Sequence, residues 1–147
     1  MSTGVLDFNI ELAILKSKTP VDTYNVGMCA SIAGVIFMAG RNRIMMDYSQ
    51  FMMHPTSGAD DPKVKKSFED SLSNLLSAKS DITQEQVTEL MNETTWLNAE
   101  ECLVKGFATE IEKAANVNKK RLSTQNVDNF FAFGSSAPLV GCIINCE

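Results

Sequence analysis

The amino-acid sequence predicts an α/β fold, and three observations carry that reading. A short strand-like run, "TYNVGMC", leads into "SIAGVIFMAG", a helix-like run that is apolar on nearly every side and so belongs in an interior. Two further short strand patterns, "NRIMM" and "SQFMMH", follow at once. Strand, buried helix, strand is the order that a crossover between parallel strands requires. Downstream, helix starts are marked by capping residues, so helices and strands alternate along the chain.

The elements can be taken in order. "VLDFNIELAILKSK" places Leu6, Ile10, Ala13 and Ile14 on one helical face, with Lys16 and Lys18 where cations suit the dipole, and "TPVD" breaks it. After the two Met-rich strands, "PTSGADD" reads as a loop. Pro62, behind Asp60 and Asp61, suits the first position of a helix that carries Val64, Phe68, Leu72, Leu75 and Leu76 on one stripe. That stripe fits either a core-facing helix or a projecting helix that packs on a partner subunit. Thr83 with Gln86, and Asn98 with Glu101, form capping-box patterns; the second helix should stop at Gly106, and "FATEI" should return as a strand. From about residue 114 the chain turns polar and then apolar without a period, so the division is a domain over 1–113 and a tail of unassigned structure over 114–147.

Composition narrows the function classes. A chain of 147 residues is about one domain, and 44% hydrophobic with 21% charged residues is ordinary for a globular protein. A net charge of −5 provides no electrostatic attraction to nucleic acid or to an anionic membrane. The run from Val26 to Ala39 is too short to span a bilayer, and "MSTGVLDFNIE" lacks the basic and apolar regions of a secretory signal. The four cysteines form no CxxC pair and one histidine cannot complete a zinc set, so free thiols in the cytoplasm, without a metal, are the expectation. The methionines at 45, 46, 52 and 53 read as core filling.

One pair of residues stands out. Ser31 sits where the strand becomes the buried helix, so its hydroxyl is held on a rigid element beside unpaired backbone donors. The amide of Ile32 is then placed to stabilise an oxyanion. A serine needs a base to accept its proton, and His54, closing a strand, is the sole histidine. The plainer readings are an N-cap for Ser31 and a hydrogen-bonded surface residue for His54. The spacing Gly27, Ser31, Gly34 is not that of the G-x-S-x-G elbow.

In order, spacing and wording, "GMCASIAGVIFMAG…MMDYSQFMMHP", the amphipathic helix after it and "TTWLNAEECLVKGFATEI" resemble the proteolytic subunit of Clp protease, over residues 5–112. The resemblance looks closest to the ClpP-like head maturation proteases of phages and prophages. It implies a ClpP/crotonase-like spiral fold with a projecting handle helix over Pro62 to Lys79, assembled into homo-oligomeric rings around the active sites. It further implies a serine endopeptidase acting on polypeptide substrate, with Ser31 as nucleophile and His54 as base. No cofactor is implied. A separate ATPase chaperone is the implied partner, since no GxxxxGK[ST] pattern occurs in this chain.

Three departures from the family pattern follow. The position of the triad aspartate, two residues before Trp96, holds Thr94, which can accept from an imidazole but carries no charge; Glu93 or Asp61 would substitute only if the backbone brought it to His54. The family's upstream glycine pair, which provides the second oxyanion donor, is represented by Gly4 alone, so the chain reads as short at its start, with a sheet edge left uncovered. The tail has no family counterpart. These departures leave an alternative, a catalytically impaired ClpP-like subunit with an assembly role. A weaker one is a crotonase-fold acyl-CoA enzyme that uses paired backbone amides.

Overall fold

The computed structural model describes residues 3–57, 60–115, 130–132 and 142–146. The chain opens with helix α1 (Thr3–Lys16), then runs through β1 (Val21–Asn25), β2 (Met28–Ala30), α2 (Ile32–Ala39), β3 (Arg43–Met46) and β4 (Gln50–Met53). Helices α3 (Pro62–Ala78) and α4 (Gln84–Asn92) follow, then β5 (Thr95–Asn98), α5 (Ala99–Val104), β6 (Glu110–Glu112), β7 (Phe130–Ala132) and β8 (Cys142–Cys146).

The predicted crossover is present: β1 and β3 pair in parallel, Thr23 to Arg43 through Asn25 to Met45, with α2 between them in sequence. One correction concerns "TYNVGMC", which is two strands in two sheets. β1 belongs to a sheet of order β6-β3-β1-β8-β7, and β2 to one of order β2-β4-β5. Asn25 makes the switch. Fully buried, it donates from Nδ2 to the Gln50 carbonyl at 2.8 Å and accepts from the Gly27 amide at 3.2 Å, replacing ladder bonds where the chain turns.

Both sheets share one core. α2 buries seven consecutive residues, Ala33 to Ala39, as its unbroken apolarity requires. Phe51 of β4 stacks on Phe107 (centroids 5.4 Å apart) and meets Phe37 of α2 at 6.2 Å, which ties the smaller sheet to the helix. A Cβ on Gly34 would lie 3.0 Å from the Phe51 ring, so glycine is what lets α2 sit this close to β4. Of the four methionines expected to fill the core, Met45 and Met53 do so, Met46 is buried outside that cluster, and Met52 is half-buried. On α1, Ile10 and Ile14 pack inward, but Ala13 is exposed and Glu11 is buried. Burial raises the Glu11 carboxyl above its ordinary range against the opposing pull of Lys79.

Three helix starts follow the sequence closely. Asp61 accepts from the Lys63 amide at 2.8 Å with Pro62 behind it. Thr83–Gln86 and Asn98–Glu101 close both bonds of their capping boxes. α5 ends at Gly106, whose φ of 74° is glycine territory. "FATEI" returns as β6, parallel to β3.

The tail, left unplaced by pattern, contributes β7 and β8. β8 pairs antiparallel along the whole of β1, from Val21 opposite Cys146 to Asn25 opposite Cys142. One edge of β1 is therefore covered by a strand from the tail.

Arg43, 8% exposed, gathers the ends of three helices. Nη1 donates to the Gly40 carbonyl after α2 at 3.2 Å. Nη2 donates to Lys79 after α3 and to Gly106 after α5, both at 3.0 Å, and Nε to Phe107 at 2.8 Å. Lys79 adds its ammonium to the Ala39 and Gly40 carbonyls. Cations are thus placed on carbonyls that a helix cannot satisfy itself. Replacing Arg43 by Met should cost about 3 kcal/mol or more, because several buried acceptors lose a charged donor at once. Arg43→Lys, with a single point donor, should recover part of the loss. Urea denaturation midpoints of the two variants check this ordering.

Candidate active site

Ser31 lies between β2 and α2 with φ 57° and ψ −123°, the conformation of the first central residue of a type II′ turn, where glycine is normal. The surroundings hold it there. Its amide donates to the Met52 carbonyl at 2.9 Å, extending the β2–β4 ladder by one residue, while its own carbonyl receives the Gly34 and Val35 amides. The side chain makes no capping hydrogen bond, and the residue is exposed. The N-cap reading thus holds for backbone position and not for the hydroxyl. Ile32 takes the first helical position, where an amide has no partner within the helix.

His54 is half-buried at the end of β4. In the β2–β4 register Ala30 faces Met52, which puts Ser31 and His54 just past the ends of neighbouring parallel strands. Both line one small cavity with Gly34, Phe51, Leu72 and Met91. The two larger clefts, along α3 and α4, contain neither residue. His54 Nδ1 lies 2.6 Å from the Pro55 carbonyl oxygen. A carbonyl only accepts, so Nδ1 is the donor in this contact.

Thr94 follows α4 with φ 52°, a left-handed conformation uncommon for a β-branched residue. The β4–β5 register, Met53 opposite Thr95, places Thr94 opposite His54. The hydrogen bond that Nδ1 makes nevertheless goes to Pro55. Asp61 is occupied as an N-cap, and Glu93 closes α4. Gly4 lies in the first turn of α1. α1 packs on α2, and Ile14 and Leu15 near its end share one cleft with Ala39 at the end of α2.

The residues that pattern reasoning missed are Pro55 and Glu69. Glu69, on α3, accepts the Thr56 amide at 3.0 Å. Its spacing from His54 matches no motif, so nothing short of the fold could pair them. Cys29 and Cys102 are buried thiols, and burial, aided by Glu101, pushes Cys102 up to about 12, far from a thiolate nucleophile.

The site thus combines an exposed serine on a positive-φ strand-to-helix turn with a half-buried histidine that lines the same cavity. The Clp protease family model matches residues 8–115, and the chain belongs to that family. Among solved structures, a point mutant of ClpP1 from Listeria monocytogenes superposes with a TM-score of 0.71 at 20% identity, covering 78% of this chain and 70% of that one. ClpP1 from the same organism gives 0.68 at 23%, covering 73% and 65%. At these identities the likeness shows the ClpP fold. No curated protein matches the chain.

If the backbone at Ser31 stores strain, Ser31→Gly should be more stable than Ser31→Ala by about 1 kcal/mol, and Thr94→Gly more stable than Thr94→Ala by a similar margin. Equal denaturation midpoints within either pair would remove the strain argument.

Proposed function

We propose that this chain is a serine endopeptidase of the ClpP type that hydrolyses peptide bonds through an acyl-enzyme. The observation that carries the reading is the shared cavity of Ser31 and His54, with Nδ1 of the ring engaged by the Pro55 carbonyl. In this reading Ser31 Oγ attacks the scissile carbonyl while His54 Nε2 takes its proton and then delivers it to the leaving amine. The Ile32 amide, at the positive end of α2, stabilises the oxyanion, and the Gly4 amide is assigned as the second donor. Thr94 is assigned to the rim opposite His54, contributing polarity without charge. Water then hydrolyses the ester by the same proton path in reverse. The apolar lining from Phe51, Leu72, Leu76 and Met91 suits an apolar substrate side chain beside the scissile bond.

The wider setting assigned is protein degradation or phage head maturation in the cytoplasm, with a separate ATPase chain delivering unfolded polypeptide. A fluorophosphonate probe tests the chemistry. Covalent labelling of the wild type should disappear in Ser31→Ala and fall at least 10³-fold in rate in His54→Ala. An unlabelled wild type that is folded and assembled would favour the alternative in which Thr94, in place of an aspartate, leaves a subunit with an assembly role.

Assembly into a homo-oligomeric ring is part of the same proposal, and α3 supports it. Leu76 is buried and Leu72 packs on the core, whereas Val64 and Phe68 near the helix start are 58% and 36% exposed. The stripe is thus divided: its second half anchors the helix and its first half projects. Val64→Glu with Phe68→Glu should lower the mass measured by light scattering without changing the circular dichroism. An unchanged mass would remove α3 from the interface.

A further inference from the structure

The amide joining Pro55 to Thr56 is engaged at both ends. Its carbonyl oxygen accepts from His54 Nδ1 at 2.6 Å, and its N–H donates to Glu69 Oε1 at 3.0 Å. The chain contains no cis peptide among the described residues, so the two bonds leave opposite edges of one planar group. Carboxylate, amide and imidazole are therefore connected in series. We propose that Glu69 is a positioning residue for His54, providing through the Pro55–Thr56 amide the orientation and countercharge that an uncharged Thr94 does not. The inference rests on the reading of His54 as general base.

The physical argument has two parts. The segment from His54 to Ser57 has no strand or helix ladder of its own, so Glu69 fixes it to α3. That helix is anchored at its far end by buried Leu76 and by the Arg43 bond to Lys79. A charged acceptor on the Thr56 N–H also polarises the amide and makes the Pro55 oxygen a stronger acceptor. When His54 takes the serine proton, the imidazolium is stabilised by that oxygen and, one amide further, by the carboxylate itself.

Other groups around the ring do not duplicate this. Toward the cavity, α2, β4, α3 and α4 present Ser31 and apolar side chains. Of the acids near the start of α3, Asp61 caps the helix and Asp70 pairs with Lys66 at 3.0 Å; Asp60 lies ahead of them in the loop. From the α4–β5 turn, Glu93 is the neighbouring acid, exposed at the helix end.

Glu69→Gln tests the proposal, because a side-chain amide oxygen still accepts the Thr56 N–H while the charge is gone. His54 is the only histidine, so its ring resonances can be followed by NMR across pH without assignment. The expected result is a titration midpoint about one unit lower in Glu69→Gln than in wild type, tenfold in the protonation equilibrium. The plateau rate of fluorophosphonate labelling should fall about tenfold, with its acid limb displaced to lower pH by the same amount. A role confined to holding the loop would leave midpoint and acid limb where they are in Glu69→Gln, and that result overturns the proposal. Should Glu69→Gln not fold, Thr56→Pro removes the N–H from the other side and must produce the same shift. If the wild type does not react with the probe at all, the peptidase reading fails, while the NMR titration, which needs no turnover, still decides whether Glu69 acts on His54.

Discussion

The guanidinium of Arg43 is the constraint from which the rest of the arrangement follows. A buried cation is stable only where its acceptors are already gathered, and here they are the carbonyls of Gly40, Lys79, Gly106 and Phe107, at and just after the ends of α2, α3 and α5. The clamp fixes the C-terminal ends of the two helices that carry the site. α2 presents Ser31 at its opposite end, and α3 carries Glu69 along its length. The position of the Ser31 turn is thus set from behind, by electrostatics in the core. Lys79 reinforces the same corner at a cost to itself: burial and the neighbouring Arg43 push its amine below the ordinary range, with Glu11 pulling the other way.

At the front of α2 the backbone carries the strain. Ser31 and Thr94 are the non-glycine residues with positive φ among those described, and both flank His54, one by the β2–β4 register and one by the β4–β5 register. Such conformations persist only where surrounding bonds over-determine them. For Ser31 those bonds are the Met52 carbonyl on its amide and two helical amides on its carbonyl, which leaves the hydroxyl outside the backbone network. From α3, the Glu69 carboxylate accepts the Thr56 amide, and the same peptide group receives His54 Nδ1 at its Pro55 oxygen.

The two ends of the chain meet around β1. α1 lies on α2, and β8 runs antiparallel along β1, covering one edge of it. The five-stranded sheet therefore contains two strands, β7 and β8, from beyond residue 115, where the family match ends. Covering that edge matters physically, because an open strand beside a sheet is a template for pairing with another chain.

The parts of this molecule that were legible in the sequence are those decided within a few residues. The caps of α3, α4 and α5 are local hydrogen bonds between neighbours, so Asp61, Thr83 with Gln86, and Asn98 with Glu101 announce them. The interior place of α2 follows from having no polar face. Ser31 and His54 could be singled out because one sits at a strand-to-helix junction, the other is the one histidine of the sequence, and a family wording surrounds both. What only the tertiary structure decided is everything that depends on distant pairing. The break of one apparent strand into β1 and β2 is made by the Asn25 contact to Gln50, twenty-five positions away. The exposure of Glu11's neighbours, the two characters of the α3 stripe, the strand partnership of the tail and the approach of Glu69 to the His54 loop share that cause. Burial and countercharge are properties of what packs alongside, and sequence order does not encode proximity between residues that meet only once the chain has folded.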